Sequence, residues 1–259
     1  MAEVIQDIQY GQVNLSAYIE ASFDEAKEAL EKKGYEIISL QENAKLRIQE
    51  GKNSHISREG NFVKEGIISI PKKGNFLTKN SPVLKNPREA YEAHGYFKSE
   101  FYISNKEVEK AMQNSVQVPY NKFSVPTNRF GQDKITVFVF GETAKEYGKF
   151  LKEAGISKMS LYFHFEHDVN NKKQAFANQL WLNSLKGGSS ALFSDKDLSY
   201  GHPIRGIKKT SVKDFMLEKI PYSQKEVVNI SNILQEVREG RLPNSKLEKI
   251  IEFIGRLRE

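Results

Sequence analysis

The stretch "LWLNSLKGGSSALFSDKDLSYGHPIRG", Leu180 to Gly206, decides how this chain is read. Large apolar residues recur along it at Trp181, Leu185, Leu192, Leu198 and Ile204, with mostly Gly, Ser, Asp, Asn, Lys and His between them. From Leu185 onward these anchors are spaced seven, six and six residues apart. Neither the period of a helix nor that of a strand sustains such spacing. It fits short strands and turns pinned to a core while the intervening residues face out. The outward set within 183–203 comprises Asn183, Ser184, Lys186, Gly187, Ser190, Ala191, Phe193, Ser194, Asp195, Lys196, Asp197, Ser199, Gly201 and His202. Small polar residues with an occasional aromatic make an adaptable contact surface. Loops on a rigid scaffold are where recognition concentrates. The same composition also describes a glycine-rich surface excursion without function.

Four elements of this stretch occur in order: Leu180-Trp181, then S-x-x-L at Ser189 and Leu192, then L-x-Y at Leu198 and Tyr200, then Ile204-Arg205-Gly206. Together they resemble the variable region of target proteins of diversity-generating retroelements. In that family, error-prone reverse transcription rewrites adenine positions of a template copy, which favours Asn, Ser, Asp, Gly, His and Tyr. The resemblance implies an α+β, C-type-lectin-like fold with a mixed sheet and flanking helices. It makes "EFYISNKEVEKAM" and "KEYGKFLKEAG" the two helices, and puts "LYFHFEH" and the Trp181 strand in the sheet. It further implies a ligand-binding protein without cofactor or catalysis, whose partner is a protein or glycan. Trp181, Leu185, Leu192, Leu198 and Ile204 would be scaffold, and Arg205 a member of a structural hydrogen-bonded pair.

The rest of the chain divides into an N-terminal segment (1–55) packed on the body, the display domain (56–212) and a C-terminal helical hairpin (213–259). S-x-x-E capping boxes are expected at Ser22, Ser39 and Ser104, with glycine stops at Gly34 and Gly51. "YEIISL" and "SEFYIS" read as strands, "NPREAYEAHG" as a short helix, and "NFVKEGIISIPKKGNFLTKNSP" as a hairpin. "VQVPYNKFSVPTNRFGQDK" is expected to be a loop, "ITVFVFG" a buried strand, and "KMSLYFHFEHD" a further strand. The apolar stripes of 223–259 suit docking on the body or on another copy, so a homo-oligomer through this segment stays open.

The 259 residues include no cysteine, which removes disulfides, thiolate zinc sites and cysteine nucleophiles. No apolar run reaches the roughly 20 residues of a membrane span. "MAEVIQDIQYGQ" lacks the pattern of a signal peptide, so the expectation is a cytoplasmic protein, or one joining a virion or surface after synthesis there. The net charge of +6 is spread thinly among alternating Lys and Glu. A solvated mixed-charge surface is the plain reading, and a nucleic-acid-binding protein of a virus or mobile element is the first alternative.

A metal-dependent enzyme is the second alternative. On a strand, Tyr162, His164, Glu166 and Asp168 would share one face. His164 and Asp168 would stand about 13 Å apart, so at most two neighbours reach one ion and His202 would have to help. An exposed polar strand face is the plainer reading. His167 reads as a hydrogen-bonded structural residue, while His55 and His94 stand alone. Gly141 follows a predicted strand, but neither G-x-G-x-x-G nor a P-loop motif is present, and Glu142 would repel a phosphate.

Overall fold

A computed structural model of the protein describes residues 5–7, 14–92 and 100–209. The expected hairpin at 213–259 and His94 lie outside these residues. Strands β1 (Ile5–Asp7) and β2 (Asn14–Ala21) lead into helix α1 (Phe23–Lys32). Phe23, Ala26 and Leu30 bury its apolar stripe, and Gly34 takes the left-handed conformation (φ +78°) just past its end. The capping box at Ser22 does not form. Its hydroxyl donates to the Asp24 and Glu25 carboxylates, both at 2.8 Å, and caps no backbone N–H.

"YEIISL" yields only the two-residue β3 (Glu36–Ile37), because Ser39 at once opens α2 (Leu40–Glu50) with a complete capping box. Gly51 (φ +84°) closes α2, and α3 (His55–Arg58) follows. The expected hairpin is β4 (Asn61–Ile70) and β5 (Gly74–Thr78), paired antiparallel from Gly66↔Thr78 to Ile70↔Gly74. Then come α4 (Pro87–Glu92), β6 (Phe101–Tyr102) and α5 (Asn105–Met112), the last opened by a complete Ser104–Glu107 box.

Three expectations fail next. The supposed loop contains β7 (Ser115–Val118) and β8 (Lys122–Pro126). Its prolines mark strand ends, which Pro tolerates on an edge. The supposed buried strand "ITVFVFG" is helix α6 (Lys134–Phe140). Asp133 decides this: its carboxylate accepts from the N–H groups of Ile135 and Thr136 at 3.0 and 2.9 Å. Burial of Ile135, Thr136, Val139 and Phe140 follows a helical period, with Val137 exposed. After α7 (Ala144–Glu153), β9 (Lys158–Tyr162) is shorter than expected, because 166–170 coil into the helical turn α8 (Glu166–Asn170). Strands β10 (Phe176–Leu182), β11 (Ser190–Phe193) and β12 (His202–Lys209) complete the fold.

The strands form one mixed sheet in the order β1-β2-β12-β4-β10-β11-β9-β8, with β3 on β12, β5 on β4, β7 on β5 and β6 on β10. The β9–β11 and β4–β12 pairs are parallel and the other described registers antiparallel. Between Gln179↔Gly66 and Trp181↔Phe62 the register shifts, so β4 bulges against β10. The Gln179 side-chain amide fills the gap, donating to the carbonyls of Val63 and, at 3.0 Å, Glu65. Lys64 completes the bulge: its N–H donates to Ile38 O at 2.8 Å, and its carbonyl accepts from Ser81 N at 3.0 Å. The sheet forks there, since β4 meets β12 at Phe62 and β5 from Gly66 onward.

One face of the sheet carries helices α2, α6 and α7. Leu40, Ala44, Val139, Phe140, Tyr147 and Leu151 from these helices pack with Val63, Ile67, Leu182, Leu192, Leu161 and Val125 from the strands. Each such fully buried large side chain contributes about 1.5–3 kcal/mol by leaving water. Glu65 lies among them, accepting at 2.8 Å from Leu40 N in the first turn of α2. Burial pushes its carboxyl up to about 7, against the lowering effects of that N–H and of Lys79.

Candidate binding surface

The five anchors of the opening stretch are all buried, Leu192, Leu198 and Ile204 completely. They come from three strands and two connections, which explains why no single period links them. β10 delivers Trp181, β11 delivers Leu192 and β12 delivers Ile204; Leu185 and Leu198 hold the connections between.

The sheet registers arrange the display. Ile204 pairs with Phe62, Phe62 with Trp181, Trp181 with Phe193, Phe193 with Tyr162, and Tyr162 with Lys122. One transverse row thus crosses β12, β4, β10, β11, β9 and β8. Leu182, Leu192, Leu161 and Phe123 form the next row and belong to the helix-covered core. Side chains alternate along a strand, so the Trp181–Phe193–Tyr162–Lys122 row lies on the opposite face. Beyond the core row, Ala191, Ser160 and Ser124 make a third row on that outer face, with the two hydroxyls 3.2 Å apart.

The outer row changes from closed to open along its length. Phe62 and Trp181 meet edge to face at 5.0 Å and are covered by His202, 4.9 Å from Trp181. Burial lowers the His202 pKa, helped by Lys196 and opposed by Asp197. Gly60 makes this packing fit: a Cβ at that position would lie 2.4 Å from the Trp181 ring. Phe193 and Tyr162 are half-buried and stack in parallel at 4.8 Å and 4°. Lys122 sits over the Tyr162 ring at 5.0 Å and Lys196 over the Phe193 ring at 5.7 Å.

The outward set divides at β11. Before it, Asn183 and Ser184 are half-buried, while Lys186 and Gly187 are exposed. This tip is tied down: Arg47, itself fully buried, donates to Asn183 O at 2.8 Å and to the Tyr147 hydroxyl at 3.1 Å. Leu185 N donates to Ser57 O at 2.8 Å, and Lys186 pairs with Glu59 at 2.6 Å. After β11, Asp195 and Gly201 are exposed and Lys196, Asp197, Ser199 and His202 half-buried. Asp197 accepts from Ser199 N at 2.8 Å in a local turn, and Leu198 O accepts from Phe23 N at 2.8 Å. Both excursions are therefore held by backbone hydrogen bonds, not left as free loops.

Three members of the set are buried. Ser190 pairs with Met159 on the helix-covered face, whereas Ala191 points to the outer face and is covered there. Ser194 is buried because its hydroxyl donates to Tyr162 O at 3.1 Å. The surface gains Lys122, Ser124, Ser160 and Tyr162 in exchange. Of these only Tyr162 was marked as outward by the sequence. The alternation in "KFS" and "KMSLY" was the available signal, masked for β8 by its two flanking prolines.

Arg205 behaves as expected. It is buried, donates to Ser16 Oγ at 2.9 Å, bonds His55 Nδ1 at 2.9 Å and lies over the Tyr18 ring. His55 consequently does not stand alone; it also stacks on Tyr18 at 4.0 Å. His167 is exposed on α8, 3.5 Å from Asp168, and not a buried structural residue. Gly141 follows a helix instead of a strand, and the adjacent Glu142 pairs with Lys45 at 2.9 Å.

The premise of a shared metal face fails because β9 ends at Tyr162 and Glu166 and Asp168 sit on α8. Among the described residues no three His, Asp or Glu side chains are placed to share an ion. His164 instead bonds Asn178 Oδ1 through Nε2 at 3.0 Å, with burial lowering its pKa against the opposing effect of that bond. These two line a cavity of about 200 Å³ with Tyr162, Phe165, Asp168, Ser194 and Asp195, directly beside the open end of the outer row. No helix among the described residues is long and apolar enough to cross a membrane.

The sequence matches no protein-family model and no curated protein. The structure is similar to that of a Nanoarchaeota protein solved to show how the C-type lectin fold accommodates massive sequence variation. The TM-score is 0.55 at 13% identity, over 78% of this chain and 99% of that one. The chain has a C-type lectin fold. At this identity the lectin fold is what the two share, and the mixed sheet, helix-covered on one face, is its expression here.

Proposed function

We propose that this lectin fold is a ligand-binding scaffold without catalysis of its own. Its recognition surface is the outer face of β8, β9 and β11 together with the exposed parts of 183–203. The ligand is a protein or glycan, and 183–203 is the segment that a diversity-generating retroelement rewrites. The observation that carries this reading is the contrast between adjacent rows of the same strands. Leu182, Leu192 and Leu161 are locked in the core, while Phe193, Tyr162 and Lys122 one step along stand on the open face. Side chains on such a preorganised backbone bind without the ordering cost of a loose loop.

Two tests address the two parts. A library randomised at Phe193, Asp195, Lys196 and Ser199 is expected to yield binders to unrelated proteins with melting temperatures near that of the parent. A library that mostly unfolds would sink the scaffold reading. The DNA beside the gene is expected to hold a second copy of the codons for 180–206, differing at adenines, with a reverse transcriptase gene nearby. Absence of both would remove diversification while leaving the scaffold.

A further inference from the structure

The open end of the outer row has a sign. None of β8, β9 and β11 contains an Asp or Glu, while Lys122, Lys158 and the adjoining Lys196 bring three ammonium groups to this face. Tyr162 and Phe193 stack on one another, and their other ring faces lie under Lys122 and Lys196. The rings therefore turn only their edges to solvent. An aromatic edge carries the positive end of the ring quadrupole. The column Lys122–Tyr162–Phe193–Lys196 is positive along its whole exposed length. The Tyr162 hydroxyl reflects this field: its pKa is lowered, first by a hydrogen bond with Lys122 and then by the charges of Lys122 and Lys158. Behind the column, the Ser124 and Ser160 hydroxyls bond each other at 3.2 Å, which leaves one O–H of the pair as a further donor. The patch ends at the neighbouring cavity, where Asp168 and Asp195 reverse the sign.

We infer that this column receives the carboxylates of an acidic segment of a protein partner, with Lys122 and Lys196 as the paired contacts and the Ser124–Ser160 hydroxyl pair supplying a donor behind them. The inference rests on the ligand-binding reading above and adds the chemistry of the ligand. A sugar ring is the poorer occupant. It would need an open aromatic face, and both outer faces are taken by ammonium groups. A carboxylate needs only what is presented: cations, a hydroxyl donor and positive ring edges.

The test uses the full chain, isotope-labelled, titrated with hexa-L-glutamate and separately with a heparin-derived hexasaccharide. Amide signals of 122–124, 158–162 and 191–196 are followed, together with the fluorescence of Trp181, the single tryptophan. Hexaglutamate is expected to shift these signals saturably. Joint Lys122→Ala and Lys196→Ala substitution should weaken it about tenfold. Lys149→Ala, at an exposed position of α7, should leave it unchanged. Shifts spread evenly over the surface lysines, or an unchanged affinity in the double variant, would overturn the inference. Tighter binding of the hexasaccharide at the same signals would also overturn it, in favour of an acidic glycan. Binders from the randomised library separate the two levels. If they still bind while hexaglutamate does not, only the acidic-partner inference falls; if they never bind, the scaffold reading falls with it.

Discussion

Leu192 and Phe193 are neighbours on β11, yet they belong to different parts of the molecule. Leu192 pairs with Leu182 and Leu161 and is sealed under the helices; Phe193 pairs with Trp181 and Tyr162 and is half-buried on the opposite face. The same pleat therefore packs a core on one side and leaves side chains open on the other. No residue separates them, so scaffold and surface are divided by side-chain direction, not by position in the chain. An altered outer residue is therefore expected to leave its inner neighbour's packing intact.

The largest effect expected is at the inner row. Leu192→Ala should cost about 2–5 kcal/mol in a denaturant or thermal unfolding measurement, as core truncations do. An equal loss from an outer residue such as Ser160→Asn would break the comparison. Glu65 sharpens it on the inner side. Its carboxyl is raised from the ordinary 4.5 to about 7, so the folded state holds the proton more tightly than the unfolded one. Its contribution to stability is therefore full below pH 4.5, falls as pH rises toward 7 and is level above that. Glu65→Gln should remove this slope and leave the protein about 3 kcal/mol more stable than the parent at pH 8, with little difference near pH 4. Unfolding curves between pH 4 and pH 8 decide it, and parallel profiles for the two proteins would refute it.

At the closed end of the outer row the effect should be smaller. Gly60→Ala puts a methyl group into the Trp181 ring and should cost about 1–3 kcal/mol, with a shift in Trp181 fluorescence. The smallest effects belong to the open end. Ser124→Asn, Ser160→Asn and Asp195→Asn should each stay within about 0.5 kcal/mol of the parent, while changing which library-selected ligands bind. A melting loss that grows from Asp195 toward Ser160 would mean that the third row is scaffold after all.

Much of the architecture was legible because local signals and tertiary packing agreed. Ser39–Glu42 and Ser104–Glu107 form complete boxes, Gly34 and Gly51 end helices, and the β4–β5 hairpin lies where its turn residues put it. Of the surface, the anchors and most outward positions of 183–203 could be marked, since burial demands large apolar residues and open sites tolerate nearly anything. One misreading arose where a short apolar run fits two periods. "ITVFVFG" became a helix because a single Asp133 carboxylate satisfied two N–H groups at its start.

The sequence by itself determined the helix boundaries with strong caps and the apolar set that must be inside, each from chemistry within a few residues along the chain. The class of the fold was implied by the resemblance of 180–206 to a known family. Only the tertiary structure decided that β11 lies between β9 and β10, which turns Ser190 toward the helix-covered core beside Met159, and that Lys122 and Lys196 close on the Tyr162–Phe193 stack. The strand pairs among these arrangements join residues from 10 to 40 positions apart. Strand register couples them in space, and no local pattern encodes a register.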